Sequence, residues 1–202
     1  PAGGFLGASS YATDWALDSG LWTLLLPATN YISVRVIDIA GSTTTLSSAF
    51  YILKDTQTPT GTAAAPANAN AAAFNLPYNA TDSGLAGIKY VKLYYTTQTG
   101  TPYTWTVFGT TFTSSPISFT DAAQGTYGFR IIADDNAMNP DETDPPANPT
   151  GPESSTVVDL TGPTITNNES GGDTAWRRVA KPGGYNIDFT ETGGSKLDTA
   201  QY

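Results

Sequence analysis

Residues 32–60 contain ISVRVIDIAG…FYILKDTQTPT, and a closely similar segment returns at residues 129–164 as FRIIADDNAMN…STVVDLTGPT. In both copies a strand-like run reaches an aspartate-containing turn, a second strand follows, and the segment ends in Asp-x-x-x-Pro-Thr. The copies lie about 100 residues apart, and the second has an insertion in the acidic, proline-rich stretch between Asn139 and Ser155. A repeat of this length predicts tandem modules, which usually act as spacers or binding surfaces.

The sequence between the two copies predicts short β-strands. Apolar residues alternate with other residues along 89–97 and again along 127–133, as expected for strands that bury one face. Pro59 and Pro163 interrupt strand pairing and mark linkers near residues 57 and 162. About seven short strands fit between these linkers, which is the profile of an immunoglobulin-like β-sandwich without a disulfide.

Four motifs inside this region are NATDSGLAGIKYVKLYY (79–95), SSPISF (114–119), GTYGF (125–129) and DNAMN (135–139). Together they resemble the bacterial immunoglobulin-like (Ig-like) domains of very large surface and secreted proteins. In those domains the turn after the penultimate strand usually reads Asp-x-Ala-Gly-Asn. This chain departs from that pattern, with Met138 at the glycine position of the second copy and Ser42 at the asparagine position of the first.

The repeat and the linkers predict an all-β fold of tandem Ig-like β-sandwich modules, one complete and two partial. We expect residues 57–162 to be the complete module, 1–56 the closing part of one before it, and 163–202 the opening part of one after it. In the last part, 176–179 and 185–189 are the expected strands. A half-sandwich exposes a long hydrophobic edge, so we expect a partner strand from the same polypeptide or from a neighbouring subunit.

Composition narrows the classes of function. The net charge of −9 argues against a surface that binds nucleic acid, and it suits either a solvated surface or clustered sites for divalent cations. The chain has no cysteine and no histidine, which excludes disulfides and removes the commonest general base. The longest apolar run, 21–26, is too short to insert into a membrane. Because the sequence opens at Pro1 without a basic leader, we expect a processed product or a piece of a longer protein.

An acidic run between residues 134 and 144 suggests metal binding. Calcium prefers several carboxylate, carbonyl and amide oxygens supplied by loops. The candidate calcium ligands are Asp134, Asp135, Asn136, Asn139 and Asp141 in this run, Asp82 in a turn, and Asp55 and Asp159 just before the linkers. The EF-hand spacing is absent. The competing interpretation is that these side chains cap turns by hydrogen bonds to nearby backbone groups.

Catalysis has little support in the sequence. Carboxylates are common and lie mostly in predicted turns, while Ser83 and Ser195 do not fit Gly-x-Ser-x-Gly and have no histidine as base. Tyr90, Tyr94 and Trp105 are candidate ligand-binding residues, because flat aromatic rings stack on sugars. The alternative is that these rings pack in the core or against a neighbouring module.

The sequence therefore predicts a non-enzymatic structural segment, extracellular or on the cell surface, that forms a stalk, surface layer or filament from Ig-like modules. Its expected partners are copies of itself or neighbouring Ig-like modules, joined by strand complementation between subunits, and calcium is the only cofactor the residues suggest. The alternative is an adhesin or a carbohydrate-binding accessory module that contacts a carbohydrate or a host surface. An array would pack its aromatic residues, whereas a binding module would leave them lining an open groove.

Overall fold

The computed structural model describes residues 16–17, 19–169 and 171–201, and this part of the chain is nearly all β-structure. The elements are α1 (Ser19–Leu24), β1 (Thr29–Ile37), β2 (Thr43–Leu53), β3 (Thr60–Ala63), β4 (Asn68–Ala69), β5 (Phe74–Leu76), β6 (Tyr78–Thr81), β7 (Ile88–Thr96), β8 (Thr106–Phe112), β9 (Ile117–Phe119), β10 (Gly125–Asp135), β11 (Ser154–Val158), β12 (Thr164–Asn167) and β13 (Ile187–Thr190). The predicted all-β class is confirmed. Residues 1–15 and 18 of the predicted first part, and residues 170 and 202 of the last, lie outside the described residues.

Strands β3 to β11 form a two-layered, sandwich-like central unit (residues 60–158). One layer is a five-stranded sheet in the order β4-β11-β10-β7-β8, in which β4 and β11 run parallel and the other neighbours antiparallel. The other layer is built on β5 and β6, which are separated by Pro77. Strand β6 pairs with β3, and β5 pairs with β9.

The hydrophobic core lies between the two layers. Phe129 on β10 is fully buried, and its ring centroid lies 5.0 Å from that of Phe119 on β9 at a nearly perpendicular angle of 80°. Edge-to-face pairs of this kind add to the free energy gained by burying the rings. The predicted inward face of β10 is confirmed, because Phe129, Ile131 and Ala133 are 0% exposed and Tyr127 is 8% exposed.

The outer face of the five-stranded sheet is covered by the chain's own residues 140–153, here named the covering segment. Asp144 in this segment pairs with Lys92 and accepts a hydrogen bond from the Tyr94 hydroxyl. Glu142 pairs with Arg130 of β10. The insertion in the second copy of the repeat is therefore part of the packing, and it buries both faces of the central strands.

The first two strands form a hairpin whose pairing matches that of β10 and β11. Tyr31 pairs with Tyr51. The residues at the corresponding positions of the second copy, Gly128 and Ser155, pair in the same way. The turns after β1 and β10 also match, since Ser42 N–H donates to Asp38 at 2.7 Å and Asn139 N–H donates to Asp135 at 2.8 Å. Gly41 and Met138 occupy the same turn position with φ of 89° and 67°. The methionine thus adopts the left-handed conformation for which glycine is usual.

The last two strands form a hairpin whose pairing matches that of β3 and β6. Thr164 lies opposite Thr190, as Thr60 lies opposite Thr81. In both pairs the two threonine hydroxyls also hydrogen-bond to each other across the strands.

The prediction of a strand at residues 176–179 is wrong. Trp176 is fully exposed, and Arg177 folds back onto Asp173 in an ion pair four residues away. Glycine pairs at 171–172 and 183–184, all with positive φ, flank this stretch and favour turns. The strand that opens this region is β12 instead, and the predicted strand at 185–189 is confirmed for its second half by β13.

Candidate functional site

Three aspartates from distant parts of the sequence lie close together at the end of the central unit where the chain enters it from β2. Asp55 lies between β2 and β3, Asp82 lies in the turn after β6, and Asp135 ends β10. One carboxylate oxygen of each lies within 4.8 Å of the others. Asp135 is 0% exposed and the other two are half-buried. We name this cluster the first junction site.

Backbone amides hold each of these carboxylates in position. Asp55 accepts hydrogen bonds from the N–H of Gln57 at 2.9 Å and of Ala86 at 2.6 Å. Asp82 accepts from the N–H of Gly84 at 2.8 Å and of Gly87 at 2.7 Å. These amide donors lower the pKa of Asp55, because they stabilise its ionised form.

Two asparagines connect the turns that carry the aspartates. Asn139 donates from Nδ2 to the Asp135 carboxylate at 2.8 Å and to the Asp55 carbonyl at 3.4 Å. Asn136 donates from Nδ2 to the carbonyl of Ala86 at 2.8 Å. The residues before β3 are thereby tied to the turns after β6 and β10.

The first junction site brings together three carboxylates, which are the type of ligand that hard divalent cations prefer. The carboxylate oxygens of the cluster accept hydrogen bonds from nearby N–H groups, and an oxygen with more than one acceptor site can also contact a cation. The ion pairs identified among the described residues are Lys92–Asp144, Arg130–Glu142, Arg130–Glu153, Arg177–Asp173 and Lys181–Glu169, all outside this cluster. Calcium is the hard cation that an all-oxygen set of this kind suits best.

A second junction repeats the same arrangement after β11. Asp159, which is 6% exposed, accepts from the N–H of Thr161 at 3.0 Å and from the N–H and hydroxyl of Ser195 at 3.1 and 2.5 Å. The Ser195 hydroxyl and the other donors lower the pKa of Asp159 to about 2. Glu191 accepts from Gly193 N–H, as Asp82 does from Gly84 N–H. We name this group the second junction site.

The structure separates the predicted acidic run into three groups. Asp135, Asn136 and Asn139 belong to the first junction site, whereas Asp134 points to the opposite side of β10 near Lys92. Asp141 lies farther away beside Gly61, with Oδ1 buried and without a hydrogen-bond partner among the described residues. Adjacent strand residues face opposite ways, so a run in sequence does not form one site in space.

The three candidate aromatic residues do not form one platform. Tyr94 is 7% exposed beneath the covering segment, and Tyr90 is half-buried with the Lys89 ammonium 5.7 Å from its ring centroid. Trp105 is half-buried and stacks on Tyr103 at a centroid distance of 5.9 Å.

The glycines at the junctions were not identified from the sequence. A Cβ at Gly84 would overlap the Asp55 carboxylate, and a Cβ at Gly193 would overlap that of Asp159. A sequence signal for them exists, since Thr81-Asp-Ser-Gly84 is repeated as Thr190-Glu-Thr-Gly193. This repeat is a weak signal, because it has only four residues and two of them differ between the copies.

We predict that Gly84→Ala weakens the first junction. The added methyl group displaces the Asp55 carboxylate and breaks its hydrogen bond to Ala86, so we expect the melting temperature to fall by about 3–8 °C. Gly100→Ala is the matched control, because a Cβ there meets no atom within 4 Å. Equal melting temperatures for the two variants, measured by circular dichroism, would contradict this role of Gly84.

We predict that calcium stabilises the chain through the first junction site. Binding three clustered carboxylates removes their mutual repulsion, so the melting temperature should rise with millimolar calcium and return with chelator. Asp82→Asn should abolish most of the rise. Asp121→Asn, an exposed carboxylate outside the cluster, should keep it. A midpoint that does not move with calcium would rule out the cation.

We predict that Asp141→Asn flattens the dependence of stability on pH. Burial raises the pKa of Asp141 from 3.8 to about 6, so the folded state favours the protonated carboxyl. The contribution of Asp141 to the free energy of unfolding should therefore fall by about 1–2 kcal/mol as pH rises from about 4 to about 7. Denaturant titrations at the two pH values should show that the stability difference between Asp141→Asn and the parent shifts by this amount, whereas the difference between Asp121→Asn and the parent stays constant. Burial also raises the pKa of Glu153 and Asp134, so these two groups change stability in the same direction as Asp141.

Comparison with known proteins gives no relative from which a function can be transferred. No family model matches the chain, and no curated protein or solved structure does either. Among the described residues, no helix is long and apolar enough to cross a membrane. Function therefore has to be inferred from the residues of this chain, and above all from its two junction sites.

Proposed function

We propose that this chain is a non-enzymatic structural segment of an extracellular or cell-surface protein, built from tandem Ig-like modules as a stalk, surface layer or filament. The observation that carries the proposal is the repeated junction. At two points about 100 residues apart, an aspartate that follows a closing strand accepts hydrogen bonds from the residue two positions on and from a turn about 30 residues later.

The matching strand pairings support the modular part of the proposal. The hairpin β1–β2 has the register of β10–β11, and the hairpin β12–β13 has the register of β3–β6. The central unit then represents one complete module. The order β4-β11-β10-β7-β8 over a smaller sheet is compatible with an Ig-like sandwich.

The mechanism of such a segment is mechanical. The Asp55 and Asp159 side chains each connect a linker to the turn of the following module, which fixes the angle between neighbours. Antiparallel ladders and a fully buried core resist unfolding of each module. A calcium ion at the first junction site would stiffen the joint further.

The alternative, an adhesin or carbohydrate-binding module, has less support from the arrangement of its aromatic residues. Tyr94 donates its hydroxyl to Asp144 beneath the covering segment, so its ring is not available for stacking. Tyr103 and Trp105 remain the pair that a sugar could reach.

A spacer requires a joint with one geometry, and spin labels can measure this. The chain has no cysteine, so Thr45→Cys on β2 and Thr110→Cys on β8 allow labels on either side of the first junction. We expect one narrow distribution of label distances by electron paramagnetic resonance. Gly84→Ala should broaden it, and Gly100→Ala should not. A broad distribution in the parent chain, with and without calcium, would contradict the proposal.

A further inference from the structure

We propose that the N-terminal hairpin of one copy of this chain docks on the C-terminal hairpin of a second copy, so that copies join head to tail. The N-terminal hairpin is β1 with β2, and the C-terminal hairpin is β12 with β13. The inference rests on the proposed function, because it treats each hairpin as one part of an Ig-like module and names the partner that completes it.

The N-terminal hairpin exposes side chains whose counterparts in β10 are fully buried. Val34 and Val36 are 42% and 64% exposed. Their counterparts one repeat later are Ile131 and Ala133, and both are 0% exposed. Burying each aliphatic side chain would contribute about 1.5–3 kcal/mol, so this face gains substantially from a partner layer.

The C-terminal hairpin exposes the complementary face. Ile165 is 69% exposed and Phe189 is 44% exposed, and the two lie opposite each other across the strands. Their counterparts in the central unit are Gly61 and Ala80, which also lie opposite each other. Ala80 packs against the core there.

The central unit itself shows what covers each face. Strand β3 packs on β10, and a Cβ at Gly61 would lie 3.0 Å from Ile131 Cδ1. Glu153 connects the two strands, since it accepts hydrogen bonds from the N–H of Ala63 at 2.6 Å and of Ile131 at 3.2 Å. The counterpart of β10 is β1, and that of β3 is β12. Because β3 packs on β10 in the central unit, we expect β12 of one copy to pack on β1 of another.

The side chains at this contact are larger in the two hairpins than in the central unit. In the central unit, Gly61 leaves room for the longer Ile131. In the hairpins, the large Ile165 would face Val34, which is one methylene shorter than Ile131. The missing methylene of Val34 makes only part of the room that Ile165 needs, so the two hairpins would pack with a wider spacing than β3 and β10. Each copy carries one face of each kind, so docking between copies continues from one chain to the next.

Two charge variants test the docking. Val34→Asp blocks the N-terminal hairpin and Ile165→Asp blocks the C-terminal hairpin, while Thr45→Asp puts the same charge on the opposite face of β2 as a control. In sedimentation velocity, the parent chain and the control should form oligomers that grow between roughly 1 and 100 µM. Each blocked variant alone should be monomeric. An equimolar mixture of the two should form a dimer and nothing larger, because one intact face of each kind remains.

Cysteine pairing keeps the inference testable if a charge variant folds poorly. Val34→Cys and Ile165→Cys should form a disulfide between copies when mixed under mild oxidation, because their counterparts lie in contact in the central unit. Thr45→Cys with Ile165→Cys should not cross-link. A monomeric parent chain at 100 µM, a mixture that stays monomeric, or a disulfide within one Val34→Cys, Ile165→Cys chain would each overturn the docking.

The outcome separates this inference from the proposed function. The label-distance experiment can be repeated on the Val34→Asp background, which is expected to be monomeric. A narrow distance distribution without any heterodimer would overturn the docking and leave the spacer intact. A broad distribution with a heterodimer would overturn the spacer and leave the docking.

Discussion

The structure depends on one interaction: an aspartate in each linker accepts hydrogen bonds from a turn that follows it in the sequence. Asp55 reaches the amide of Ala86, and Asp159 reaches the amide and hydroxyl of Ser195. Both carboxylates fit only because a glycine, Gly84 or Gly193, stands beside them. Together with the hydrogen bond from Asn139 to the Asp55 carbonyl, this contact ties the first linker to the turns of the central unit.

The charge at the first junction site follows from the same interaction. Bringing Asp55 into the turn places it beside Asp82 and Asp135, so the geometry of the joint and the clustering of three carboxylates have a single origin. The backbone amides offset part of the repulsion, and a cation would offset the rest. At the second junction site, the Ser195 and Thr161 hydroxyls supply hydrogen bonds to the carboxylate. Both junctions therefore anchor a linker aspartate in a turn. Other carboxylates surround the aspartate at the first junction, whereas hydroxyl groups donate to it at the second.

Much of the fold could be predicted from the sequence because its strands alternate cleanly. The inward face of β10 and the strand at 88–96 follow directly from this pattern. The acidic run could not be resolved in the same way, since Asp134 and Asp135 point to opposite sides of β10 and only one reaches the junction. The aromatic residues posed a similar difficulty. Tyr94 looks exposed in the pattern of β7, but the distant Asp144 covers it.

The covering segment has a geometric consequence for growth. An open, flat sheet face would allow chains to associate sideways, and an array would then spread in two dimensions. In the central unit this face is closed by Asp144 and Glu142, which pair with the charged side chains of the sheet. Apolar surface remains concentrated on the terminal hairpins. Under the head-to-tail docking proposed above, this arrangement would favour growth along one line over sideways association of central units.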